Sequence, residues 1–220
     1  MRLHSFPGLA ATSLLSVLFG SLTACGPTTP TAATASVPVQ ASLGHIDTPF
    51  IHRSELIQPK AAPAFDLTDQ NGEGVSSARL EGKVALVGFV YTSCPDICRA
   101  ITATYLDIQD SFASEVAGGE LELVLITTDP ENDTPEQAKK YTEGFGGKWS
   151  FLTGSAEDLG QVWADYNVSV EHMAGASKNE HTWMVVLIDQ ESLIRIRYMG
   201  QDVPKDILAN DVSLLLEETR

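Results

Sequence analysis

The sequence predicts an α/β domain in three layers: a mixed central sheet flanked by helices, with a hairpin at its amino-terminal end. Three observations predict it. The runs Lys83–Tyr91 (KVALVGFVY) and Leu121–Thr128 (LELVLITT) are apolar almost throughout, as strands covered on both faces are. Helical segments separate them, so the strands are joined by crossovers and run parallel. Near the carboxyl end, Thr182–Asp189 and Leu193–Tyr198 are two strands with a tight connection, which makes an antiparallel edge.

The elements follow in order. Ala64–Thr68 reads as a short strand entering the turn Asp69-Gln70-Asn71-Gly72, since Asn-Gly is a favoured hairpin dipeptide. The strand at 83–91 comes next. A helix begins near Pro95, where proline suits the first turn, and runs to about Phe112. After the strand at 121–128, Thr134-Pro135-Glu136-Gln137 fits a capping box, and its helix ends near Glu143 before Gly144, Gly146 and Gly147. Ser150–Leu152 is a short strand, Ser155–Tyr166 a helix, and Pro204–Glu218 the last helix. Trp149, Trp163 and Trp183 lie in or beside apolar segments and read as core.

The first 60 residues do not read as core. Met1–His4 is a short basic start, and Leu9–Ala24 is apolar or small, too short for a comfortable membrane span, as in a cleaved signal. Leu22-Thr23-Ala24-Cys25 resembles a bacterial lipobox, in which the cysteine is lipidated; Gly26 after it resembles an outer-membrane sorting context in some bacteria. Residues 26–60 are rich in Thr, Ala, Pro and Ser without sustained apolar periodicity, and read as a flexible tether. His45 and His52 fall there and read as solvated. The organisation expected is therefore a signal peptide at 1–24, a lipid-anchored linker at 25–60 and one domain at 61–220, on the extracytoplasmic side of a bacterial membrane. The formal charge of −15 opposes nucleic-acid binding; it supplies solubility or a face for a basic partner.

If Cys25 is lipidated, the thiols left are Cys94 and Cys98. A bridge between them closes almost no loop and stabilises little, so redox or metal chemistry is the better reading. Their motif, Thr92-Ser93-Cys94-Pro95-Asp96-Ile97-Cys98, lies at the carboxyl end of a buried strand, where open α/β sheets place ligands. The helix start favours thiolate at Cys94. The four-residue spacing puts both sulfurs on one helix face, where they converge on one ion or, if the first turn bends, form a disulfide. His181 opens the strand TWMVVLID after the polar loop Ala174–Glu180. Two thiolates and an imidazole suit copper, as Cu(I) or Cu(II), whereas zinc wants a fourth ligand or a water. His181 also reads as a loop histidine satisfied by backbone. The acidic run Asp129–Asp133 lacks calcium-loop spacing and reads as a turn and helix cap. His172-Met173 are further candidate copper ligands, with Met173 an ordinary apolar contact as the plainer reading.

The stretches GFVYTSCPDIC and TTDPENDTPE, with His181 before WMVVLID, closely resemble the Sco (SenC/PrrC) family over about residues 60–216. The resemblance implies a thioredoxin-like copper protein that serves assembly of the binuclear copper centre of cytochrome c oxidase. It implies Cys94, Cys98 and His181 as copper ligands and places Asp129 near them. Arg99 stands where many members have proline, and a lipobox replaces their membrane helix. Two functions follow. One is a copper metallochaperone whose partners are the oxidase copper subunit or another cuproprotein, a copper donor and a thiol reductant. The other is a thiol–disulfide oxidoreductase that keeps a partner's copper-site cysteines reduced, with His181 as an accessory. A copper or redox sensor is a third reading. His181 discriminates, because a simple dithiol reductase does not need it.

Overall fold

A computed structural model describes residues 46–47, 51–94, 97–172, 179–200 and 203–218. The signal, Cys25, His45, Pro95, Asp96 and Met173 lie outside them, as does the side chain of His172.

The first strands are β1 (Ile46–Asp47), β2 (Ile51–Ala61), β3 (Asp66–Asp69) and β4 (Gly74–Ser76), then a 3-10 turn at Ser77–Leu80 and β5 (Val84–Val90). They are followed by α1 (Ile97–Ser111), a short α2 (Ala113–Gly118), β6 (Leu121–Thr127), α3 (Pro135–Phe145), β7 (Ser150–Thr153) and α4 (Ala156–Tyr166). The chain continues through β8 (Val170–His172), β9 (Asn179–His181), β10 (Met184–Ile188), β11 (Leu193–Gly200) and α5 (Lys205–Glu217).

Among the described residues, nine strands form one sheet in the order β1-β2-β11-β10-β5-β6-β7-β3-β4. β5, β6 and β7 are parallel; β10, β11 and β2 add antiparallel neighbours on one side, and the β3–β4 hairpin on the other. Alternate side chains of one strand enter opposite layers. Val84, Leu86 and Val90 of β5 meet Ile101, Tyr105 and Ile108 of α1 and Leu208, Val212 and Leu215 of α5. Ala85, Val87 and Phe89 meet Leu67 of β3 and Leu159, Val162 and Tyr166 of α4. The predicted three layers and amino-terminal hairpin are present. α3 starts as its sequence indicates, with the Thr134 hydroxyl accepting from the Gln137 amide at 3.3 Å.

The boundary predicted at residue 61 moves. β2 occupies the last part of the predicted tether and pairs with β11 from Ile51 opposite Gly200 to Ala61 opposite Leu193. The sequence hides this strand because its deeply buried described side chain is a cation, Arg53, rather than an apolar residue. Arg53 is matched by Asp211 on α5, 158 positions away. The domain therefore includes residues from Ile51 onward. Trp149 and Trp163 are buried as expected, but Trp183 is only half-buried, its ring 4.3 Å from that of His181.

Gly88 is the point where β5 lets α1 approach. A Cβ there would lie 2.8 Å from the Tyr105 hydroxyl, which is within hydrogen-bonding distance of the carbonyls of Leu86 (3.1 Å) and Val124 (3.0 Å). Gly88→Ala is expected to cost about 1–3 kcal/mol, as overpacking of a dense core does; urea unfolding measures it, and a loss below about 0.5 kcal/mol contradicts the packing argument.

Candidate metal centre

β5 ends at Val90, and the chain turns at once, the Cys94 amide donating to the Tyr91 carbonyl at 3.3 Å. Cys94 is half-buried and Cys98, in the first turn of α1, is fully buried. Both are thiols rather than a disulfide. The Cys98 amide donates to Cys94 Sγ at 3.3 Å, a helix-start contact of the kind that favours negative charge on sulfur. The Cys98 thiol is pushed strongly up, first by its hydrogen bond with Cys94 and then by burial.

The loop carrying Cys94 is held by Asp133. This fully buried carboxylate accepts from the Thr92 amide (3.1 and 3.2 Å), the Thr92 hydroxyl (2.5 Å) and the Thr127 hydroxyl (2.5 Å). It thereby ties the loop after β5 to the end of β6. Burial raises its pKa, and the three donors oppose that shift. Asp129, the acidic residue expected near the site, turns its own loop: its carboxylate accepts from Asn132 Nδ2 at 3.0 and 2.9 Å, and its carbonyl from the Asp133 amide at 2.9 Å. The sequence shows two aspartates in one turn; only the fold shows which one touches the cysteine loop.

Tyr141 is a second residue that the sequence does not mark. On α3, Ala138, Tyr141, Thr142 and Phe145 follow ordinary helical spacing, which reads as core. Its hydroxyl nevertheless lies 2.5 Å from Thr102 Oγ1, close enough to the thiols to feel both.

His181 does not open the strand that follows it. It ends β9, paired with Val170 in a separate two-stranded ribbon, and β10 begins at Met184. The ring is 7% exposed, edge-on to Tyr91 with centroids 5.8 Å apart. Its Nδ1 is 3.1 Å from the Thr182 carbonyl, a group that only accepts, so the proton is on Nδ1. Nε2 then carries the lone pair, and it is buried with no hydrogen-bond partner among the described residues. Burial lowers the imidazole pKa, so the neutral, ligating form prevails at neutral pH. A backbone carbonyl fixing the far nitrogen is the usual arrangement behind a metal-binding histidine.

Tyr91 lies between the two halves: its backbone is bonded to Cys98 and its ring faces His181. Even so, among the described residues no three His, Cys, Asp or Glu side chains are close enough to hold a metal ion together. The two cysteines meet through the Cys98 amide, and the His181 ring faces Tyr91, the residue that leads into their loop. The donor types fit copper: two soft thiols, and an imidazole whose Nε2 accepts no hydrogen bond among the described residues.

The SCO1/SenC family model matches residues 54–217. The chain belongs to the SCO1/SenC family. It is 29% identical over 154 residues to the SCO1 protein homolog of Bacillus subtilis, covering 67% of this chain and 79% of that one. Among solved structures it resembles ScoI of Bradyrhizobium japonicum with copper bound, at 26% identity and a TM-score of 0.62, over 71% of this chain and 99% of that one. It also resembles a SCO1/SenC family lipoprotein of Bacillus anthracis, at 26% identity and a TM-score of 0.64, over 73% and 98% of the two chains. The fold is accordingly thioredoxin-like, as in those SCO1/SenC structures.

Proposed function

We propose that this SCO1/SenC chain is a copper metallochaperone, with copper as its cargo. Cys94, Cys98 and His181 hold the ion and pass it, by exchange of thiolate ligands, to the binuclear copper centre of a cytochrome c oxidase outside the cytoplasm. Membership of a family of oxidase assembly proteins supports the recipient. The observation that carries the reading is the buried Nε2 of His181, which has no hydrogen-bond partner among the described residues and is oriented from behind by the Thr182 carbonyl, one ring away from the cysteine loop. A buried nitrogen without a partner is costly unless a ligand uses it.

The anchor belongs to the same proposal. Residues 1–24 direct export, Cys25 is lipidated, and the segment before Ile51 lets the domain reach its partner. A relative described as a lipoprotein supports the lipid anchor, and no helix among the described residues is long and apolar enough to cross a membrane.

The test is an anaerobic copper titration of reduced residues 26–220, followed by ultraviolet-visible absorption. One equivalent with sulfur-to-copper charge-transfer bands is expected, lost in Cys94→Ala and Cys98→Ala. His181→Ala is expected to weaken Cu(II) by more than the roughly 10–100-fold that loss of an outer-shell partner costs, while disulfide reduction is nearly unchanged. Equal copper affinity in that variant sinks the metallochaperone site as drawn. The second reading, an extracytoplasmic thiol–disulfide oxidoreductase, is favoured by one observation: the two cysteines are already in contact, the Cys98 amide donating to Cys94 Sγ at 3.3 Å. Turnover of a disulfide substrate without copper binding would select it.

A further inference from the structure

Tyr141 lies outside the cysteine motif and outside the histidine ribbon. Its ring packs against Phe145 and Phe151, with centroids 4.9 and 5.6 Å away. Its hydroxyl is 2.5 Å from Thr102 Oγ1, which is itself 2.7 Å from the Cys98 carbonyl oxygen. A carbonyl only accepts, so the single threonine proton goes to Cys98, and Tyr141 is the donor to Thr102. The protons thus run one way, from Tyr141 through Thr102 to Cys98, and bonds aligned in this manner strengthen each other. Burial pushes the phenol up to about 12, so its proton is present throughout the neutral range.

This chain fastens the backbone that carries the second thiol to α3. Cys94 has a different mount, the loop bonded through Thr92 to Asp133. A disulfide needs Cβ atoms about 3.5–4.5 Å apart. Cys98 lies in the first turn of α1, whereas Cys94 precedes that helix in the turn after β5. Joining the sulfurs requires the two mounts to settle at that spacing, and the bonds through Thr102 to Tyr141 restrain the Cys98 side of it.

We propose that Tyr141 is a positioning residue that holds Cys98, through Thr102, in the dithiol geometry and so sets the redox balance of the Cys94–Cys98 pair. This rests on the two cysteines being a working pair, but it needs no copper. The reaction is a two-electron exchange with glutathione disulfide: both thiols lose their protons, the Cys94–Cys98 bond forms, the glutathione disulfide bond breaks, and two glutathione thiols result.

The experiment equilibrates the full-length chain anaerobically in glutathione buffers with a copper chelator. Acid quenching, alkylation and mass spectrometry of the peptide bearing Cys94 and Cys98 then give the dithiol fraction. Tyr141→Phe is expected to shift the equilibrium toward the disulfide by roughly fivefold to tenfold, the worth of one buried hydrogen bond. Tenfold corresponds to a reduction potential about 30 mV lower. Thr102→Val should reproduce the shift, Thr102→Ser should keep the wild-type value, and the double variant Tyr141→Phe/Thr102→Val should shift no further than either single change. Unfolding midpoints of the same variants separate this from a structural role, which lowers stability without moving the equilibrium. A Tyr141→Phe or Thr102→Val equilibrium within about twofold of wild type, or additive shifts in the double variant, overturns the proposal. Failure of the wild-type pair to form its internal disulfide in any buffer overturns the working pair itself, and the proposal with it.

Discussion

Asp211→Ala is expected to destabilise the domain by about 3–5 kcal/mol, the usual cost of stranding a buried charge. Asp211 is 1% exposed and its partner Arg53 is 2% exposed. The guanidinium meets the carboxylate with two bonds, Nε to Oδ2 at 2.7 Å and a terminal nitrogen to Oδ1 at 2.9 Å. The Tyr198 hydroxyl donates to the same carboxylate. Alanine at 211 removes the two bonds to Arg53 and the one from Tyr198 in a dry layer between β2, β11 and α5, where Glu55 is 3.9 Å from the guanidinium. The pair itself need not stabilise the fold: Arg53→Met with Asp211→Leu should recover most of the loss. Urea unfolding of the three proteins measures this, and amide exchange should show β2 losing protection first in the single variant. A loss under about 1 kcal/mol would mean that water reaches Arg53 and that β2 is not locked as its contacts indicate.

Asp133→Ala is expected to cost about 3 kcal/mol, and Asp129→Ala about 1 kcal/mol or less. The difference follows from what each carboxylate leaves behind. Loss of Asp133 strands the Thr92 amide and two threonine hydroxyls, and hydrogen bonds to charged groups are the stronger kind. Loss of Asp129 frees a side-chain amide of Asn132, which is exposed and can turn to water. Asp133 also holds the Cys94 loop against β6, so its loss should weaken copper binding as well, whereas Asp129→Ala should leave it nearly unchanged. Denaturation and copper titration of the two variants check both statements. The reverse ranking would return the site role to Asp129.

The central sheet was legible because it is buried on both faces. Lys83–Tyr91 and Leu121–Thr128 are so continuously apolar that no other element accommodates them, and they are β5 and β6. Thr134 and Ser155 marked two helix starts because a capping hydroxyl acts on residues two or three positions away. β2 was not legible, because the residue it buries is balanced by an aspartate far along the chain. The β8–β9 ribbon was missed for a similar reason: three-residue strands carry too little pattern to rise above a polar loop.

The site divides in the same way. The sequence by itself determined the fold class, the export and anchoring expectation, and the identities of Cys94, Cys98 and His181 as candidates, because spacing and residue chemistry are local properties or family motifs. Only the tertiary structure decided that Asp133 rather than Asp129 holds the cysteine loop, and that Tyr141 reaches Cys98 through Thr102. It also decided that the Nε2 of His181 is buried without a hydrogen-bond partner among the described residues. Those facts depend on which donors face which acceptors once β5, β6, α1 and α3 are packed together, and no one segment of the chain contains both partners.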